Sequence, residues 1–126
     1  MKRRTTMSLL VLLIVVSLAE SGAYLFPPTL ISPLNGATGV SCTPKLRWNP
    51  VTAAISYDVQ VSKQSTFSTK VVDKTVTTTT YTLTTTLDSS TRYYWRVRAK
   101  SLGEVSAWNS ASFTTGTCGD GDGGAL

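Results

Sequence analysis

Apolar and polar residues alternate along several short stretches of this chain, and that pattern leaves little choice of secondary structure. In RYYWRVRAK, Tyr93, Trp95, Val97 and Ala99 fall on one side, while Tyr94, Arg96, Arg98 and Lys100 fall on the other. Side chains of a β-strand point to opposite faces with a period of two, so such a stretch has one wall in a core and one toward water. Leu46 and Trp48 alternate in PKLRWNP, Tyr57, Val59 and Val61 in SYDVQVS, and Tyr81 and Leu83 within a threonine-rich run. Val71 and Val72 mark a further short piece, and Trp108 to Thr115 supplies a last one that includes Phe113. Burying Trp95 and Val97 contributes several kcal/mol at roughly 25 cal/mol per Å², which assigns the apolar side of their strand to the interior. After the first 23 residues no window repeats apolar residues at helical spacing. Short strands separated by turn formers predict an antiparallel sandwich or barrel, and about seven strands in ~85 residues fit the sandwich better.

The N-terminal segment follows a different logic. Met1-Lys2-Arg3-Arg4 is basic, Met7 to Ala19 is uncharged and apolar, and Ser21-Gly22-Ala23 offers small residues at the exit. These are the three regions of a secretory signal peptide, expected over residues 1–23. Glu20 ends the apolar run short of the about 20 residues that a membrane-spanning helix needs. Removing the segment takes away three cations and one acid, so the formal charge falls from +5 to +3 (5 − 3 + 1). A net charge of that size is ordinary and does not argue for nucleic acid. The remaining organisation is expected as a linker at 24–29, a domain over 30–115 and a Gly/Asp-rich flexible tail at 116–126.

From Leu87 to Ala99, LDSSTRYYWRVRA resembles the pattern of fibronectin type III domains, with Leu87, Thr91, Tyr93, Val97 and Ala99 in the usual spacing. The resemblance extends to Trp48 on an early strand, Pro33 and Gly36 at the first turn, the YDVQVS strand followed by Phe67, and the closing SAWNSASFTT. It spans about Leu30 to Thr115 and is similar to repeated modules of bacterial secreted and surface proteins. It implies an all-β, seven-stranded immunoglobulin-like antiparallel sandwich, with Tyr93 as the corner tyrosine whose hydroxyl bonds backbone a few residues upstream. The implied core comprises Trp48, Tyr57, Val59, Leu87, Tyr93, Trp95 and Val97. Two departures stand out: Ser89 occupies the usual corner proline, and the loop Lys100 to Val105 carries no Arg-Gly-Asp. In this fold Cys42, before the Trp48 strand, and Cys118, after the last one, meet at the same pole. A disulfide between them is therefore expected, as an even cysteine count in an exported chain also suggests.

Chemistry is harder to find. The chain has no His, so neither a histidine base nor a zinc site built on its two cysteines is expected. No two of Asp58, Asp73, Asp88, Glu104, Asp120 and Asp122 can be set across a cleft as glycoside hydrolysis requires. Asp58 should face outward, opposite Arg96 on a neighbouring strand, as an exposed pair worth little. GDGDGG has too few oxygen ligands for a calcium loop. Nine threonines among the twelve residues 75–86 suit a half-exposed sheet, and the segment lacks the proline of mucin-like stretches.

The expected protein is non-catalytic and needs no cofactor. It would be a secreted or cell-surface module serving as a spacer or protein-interaction domain. The alternative is a carbohydrate-binding module, using exposed rings such as Tyr94 and Tyr24, or an accessory domain of a secreted glycoside hydrolase. Its expected partner is a protein or polysaccharide at the cell surface, with membrane contact only if the signal segment is retained. The face of Tyr94, Arg96, Arg98 and Lys100 is the candidate binding surface, set against an ordinary solvated sheet face with cross-strand charge pairs.

Overall fold

Two sheets face each other in the computed structural model, which describes residues 24–118. The expected signal peptide and the end of the tail, with Asp120 and Asp122, lie outside the described residues. The strands are β1 (Leu30–Ser32), β2 (Ala37–Val40), β3 (Lys45–Trp48), β4 (Ser56–Ser62), β5 (Val72–Val76), β6 (Thr80–Thr82), β7 (Arg92–Ser101), β8 (Glu104–Val105) and β9 (Asn109–Thr115). The small sheet has the order β1-β3-β6, and the large one β2-β9-β7-β4-β5, with β8 paired to β7. Nine segments reduce to seven strands when β1 with β2, and β8 with β9, are each read as one interrupted strand.

The interruptions have local causes. The first strand leaves the small sheet at Pro33 and re-forms at Ala37 against β9. It keeps its direction while changing sheets, so β2 and β9 are parallel, in contrast to the wholly antiparallel arrangement expected from the sequence. Close approach is needed at this edge: a Cβ on Gly116 would lie 3.2 Å from the Gly39 Cα. The β7–β8 hairpin turns through Gly103 at φ 78°, a conformation that costs L-residues with a Cβ about 1–2 kcal/mol.

The alternating residues pack where the period of two puts them. Trp48, Tyr57, Val59, Leu87, Tyr93, Trp95 and Val97 are all buried, together with Leu46, Val61, Ala99 and Phe113. Trp48 meets Tyr57 edge-on at 5.7 Å, and Tyr93 stacks on Phe113 at 6.0 Å. Val59 and Val97 are direct partners across β4 and β7, the longest antiparallel pairing of the large sheet.

Strand directions define two poles. Residues 24–29, 49–55 and 101–107 gather at the first, and residues 41–43, 83–91 and 116–118 at the second. A buried tyrosine holds a loop at each. Asp88 N–H donates to the Tyr93 hydroxyl at 3.0 Å, which is the corner contact, and Val51 N–H donates to the Tyr57 hydroxyl at 3.0 Å at the other end. Cys42 and Cys118 form a disulfide at the second pole, with Cα atoms 6.0 Å apart. Ser89 serves this pole too, its hydroxyl accepting from Cys118 N–H at 2.9 Å.

Candidate functional site

The outer face of the large sheet carries most of the charge chemistry among the described residues. Because β7 alternates, Tyr94, Arg96, Arg98 and Lys100 all leave its outer side, and each is half-buried rather than free. Asp58 lies directly opposite Arg98, and Gln60 opposite Arg96. The Asp58 pairing is thus two residues along β7 from the partner expected in the sequence, since Val59 pairs with Val97 and fixes the register of both neighbours. Nor is it an exposed pair: Asp58 is only 7% exposed.

Three donors converge on that carboxylate. Thr75 Oγ1 lies 2.6 Å and Lys100 Nζ 3.3 Å from Oδ1, while Arg98 Nε donates to Oδ2 at 2.9 Å. Burial alone would push the Asp58 carboxyl up. The hydrogen bonds from Thr75, Arg98 and Lys100, which favour the charged form, outweigh it, and the pKa falls below its ordinary value of 3.8.

Arg96 is held differently. Its Nε donates to Gln60 Oε1 at 2.8 Å, and Gln60 in turn donates to Asp73 at 3.1 Å. Its guanidinium sits 4.1 Å from the Phe67 ring and 4.1 Å from the Trp108 ring, with Arg98 also 4.5 Å from Trp108. Such cation–π contacts contribute about 0.5–2 kcal/mol each depending on exposure. Desolvation, and then the neighbouring Arg98, lower the Arg96 pKa from its usual value, and Asp73 acts the other way. Phe67 reaches this position from a left-handed backbone, φ 57°, and is buried outside the central core. The sequence pattern marks Phe67 and Trp108 only as landmarks of a strand series. Their role as lids on the arginines follows from loops whose path alternation does not encode.

The cationic stripe is therefore partly satisfied within the molecule: Asp58 offsets one of its three charges, while Gln60, Phe67 and Trp108 hold Arg96 without cancelling its charge. These cross-strand contacts brace the sheet from its outer side. Tyr94, the ring that sequence reasoning offers to a glycan, is half-buried beside a small hollow lined by Asn35, Ser65, Ser110 and Ser112. Asn35 Oδ1 already accepts from Ser112 N–H at 2.9 Å. The more exposed rings lie at the first pole. Tyr24 and Phe26, 66% and 62% exposed, meet edge-on at 4.6 Å beside a cleft of about 570 Å³ that Pro27, Pro50 and Val51 also line. Among the described residues no group of three or more His, Cys, Asp or Glu is arranged to hold a metal ion.

Residues 37–119, well over half of the chain, match the model of a family described as Rha78A-like, N-terminal immunoglobulin domain. The chain belongs to this family. Its immunoglobulin-like sandwich is similar to the fibronectin type III domain of human collagen alpha-1(XX) chain, at 25% identity and a TM-score of 0.58, over 79% of this chain and 92% of that one. It is also similar to an Fn3-like protein from Clostridium thermocellum, at 26% identity and a TM-score of 0.52, over 77% and 96% of the two chains. A third likeness, in fold alone, is to part of a β-1,2-glucanase from Parabacteroides distasonis, at 20% identity and a TM-score of 0.57. There it covers 78% of this chain but 14% of the enzyme. No curated protein matches the chain in sequence. The fibronectin type III resemblance read from the LDSSTRYYWRVRA stretch thus holds, in a member of an immunoglobulin-domain family.

Proposed function

We propose that this immunoglobulin-like domain is a non-catalytic spacer, working outside the cytoplasm to hold what lies on either side of it apart. The observation that carries this reading is the path of the chain through the sandwich. It enters at the first pole through residues 24–29, leaves at the second through Gly116 to Cys118, and is bridged to Cys42 at that exit. Tension along the chain is then borne by β-ladders and a covalent bond. A disulfide persists in an oxidising compartment, which agrees with the targeting segment expected over residues 1–23. The outer face adds support, because Arg96, Arg98 and Lys100 each hold a cross-strand partner within the sheet.

A second reading has its own observation. The Tyr24–Phe26 corner leaves aromatic surface open beside neutral polar side chains, and part of a β-1,2-glucanase shares the fold, so a glycan-binding or hydrolase-accessory role is the alternative. Applying the purified chain to a broad glycan and polyanion array at low and physiological salt separates the two. The spacer reading expects no saturable binding from folded protein. A salt-resistant hit that disappears in the Tyr24→Ala/Phe26→Ala variant would replace it with the glycan reading.

A further inference from the structure

Large apolar side chains left in solvent are concentrated at one end of this molecule. Seven are exposed among the described residues: Tyr24, Phe26, Leu34, Ile55, Val71, Leu102 and Val105. Five of these, all but Leu34 and Val71, belong to the first pole. Tyr24 and Phe26 stand on the incoming segment, Ile55 ends the β3–β4 loop, and Leu102 and Val105 flank the tip of the β7–β8 hairpin. Leu102, at 87% exposed, is the most open of the set. Pro27, Pro50 and Val51 continue the apolar lining beside the two rings. Single exposed apolar residues are normal on a soluble domain, but a group at one end marks a contact surface.

Charge and chain length identify the contact. Of the cations near this pole, Arg98 and Lys100 share Asp58, Arg47 stands exposed near the end of β3, and the hairpin tip carries Glu104. The pole is thus mainly apolar and aromatic, with no cluster of free basic side chains to offer an anion. In the sequence, the apolar run Met7 to Ala19 stops just before Glu20-Ser21-Gly22-Ala23, and Tyr24 follows. Five residue steps from Ala19 to Tyr24 span at most about 18 Å even when fully extended. While that segment is held in a bilayer, Tyr24 and Phe26 cannot lie far from its surface, where amphipathic rings are at their most favourable. Thirteen residues would cover only about 20 Å as a helix, against about 30 Å of hydrocarbon. The segment alone is a weak hold, and an apolar pole beside it adds contact where it is lacking.

We propose that the first pole is a lipid-contact surface, on which the domain stands against the outer leaflet of the membrane it is exported through. The proposal rests on the export reading with the segment over residues 7–19 retained in the bilayer, and goes beyond the spacer role by assigning one end of the spacer to the bilayer. The test uses protein exported by cells carrying the full chain, with its N-terminus read from intact mass. It is floated with vesicles of phosphatidylcholine alone and of phosphatidylcholine with phosphatidylglycerol. The parent should partition to both kinds to a similar extent, since no free basic patch is involved. Tyr24→Ser/Phe26→Ser/Leu102→Ser should lower the partition coefficient at least tenfold with near-ultraviolet circular dichroism unchanged. Leu102→Ser alone, at an open hairpin tip that cannot upset the core, should lower it about threefold, and Val71→Ser should leave it as it was. A parent that does not float, or a triple variant within twofold of it, overturns the proposal. So does a concentration-dependent dimer abolished by the same variant in a parent that ignores vesicles. Retention of the chain in the cytoplasm would refute export separately, leaving flotation to decide the surface.

Discussion

Breaking the bond between Cys42 and Cys118 tests whether this small sandwich depends on a constraint that acts in its unfolded state. The bridge closes a loop with a sequence separation of 76. In the chain-entropy model, releasing a loop of that size from the denatured ensemble destabilises the fold by about 4.5 kcal/mol. The folded state should feel little of the loss, because the second pole has other ties. Leu87 N–H donates to Cys42 O at 2.8 Å, Gly116 N–H to Val40 O at 2.9 Å and Ser90 N–H to Gly116 O at 3.0 Å. The Thr115 hydroxyl donates to Asp88 O at 2.6 Å, and Cys118 N–H still reaches Ser89. Reduction should therefore leave the aromatic near-ultraviolet circular dichroism bands unchanged while the melting temperature falls by roughly 18–36 °C, taking about 4–8 °C per kcal/mol for a domain of this size. The urea m-value should rise, because the reduced chain exposes more surface on unfolding. Cys42→Ala/Cys118→Ala should reproduce the result without reductant. Cys42 is buried, and alanine leaves no unpaired hydroxyl there, as serine would. Finding the reduced and oxidised proteins within 1 kcal/mol of each other, at equal m, would refute the argument.

Two further outcomes follow from the outer face and the corner. Asp58→Asn removes the anion that pairs Arg98 and Lys100, and should cost about 2 kcal/mol at pH 7 by urea denaturation. The folded pKa of Asp58 lies below 3.8, so its stabilisation is fully present above the unfolded value and is lost as pH falls through the folded one. The parent should lose more stability than the variant between pH 4 and pH 2, and parallel acid limbs would discount the pairing. Tyr93→Phe keeps the ring on Phe113 but leaves Asp88 N–H without its acceptor, at a cost of about 1–2 kcal/mol. The urea midpoint should shift with native far-ultraviolet circular dichroism retained, and an unmoved midpoint would show that water replaces the hydroxyl at no cost.

Alternation in short segments was sufficient to read the sandwich and its inner wall, because the period of two is a property of the strand backbone itself. Tyr93, Trp95 and Val97 had to share a face whatever they packed against, and the same held for Tyr57, Val59 and Val61. The resemblance that begins at LDSSTRYYWRVRA placed Cys42 and Cys118 at one pole, since strand order fixes which ends of strands meet. Register and loop path were beyond such reasoning. A shift of two residues between β4 and β7 decides whether Asp58 faces Arg96 or Arg98, and only the packed pair Val59 and Val97 settles it. Whether a basic stripe is open or covered depends on Phe67 and Trp108 folding over it from two distant connections, a long-range closure with no local periodicity. The change of sheet between Ser32 and Ala37, and the parallel pairing it produces, likewise come from the edge of β9 being open to receive the strand. Local sequence determined which side of each strand meets the core, while tertiary packing decided which charges meet each other and which end of the domain is left apolar.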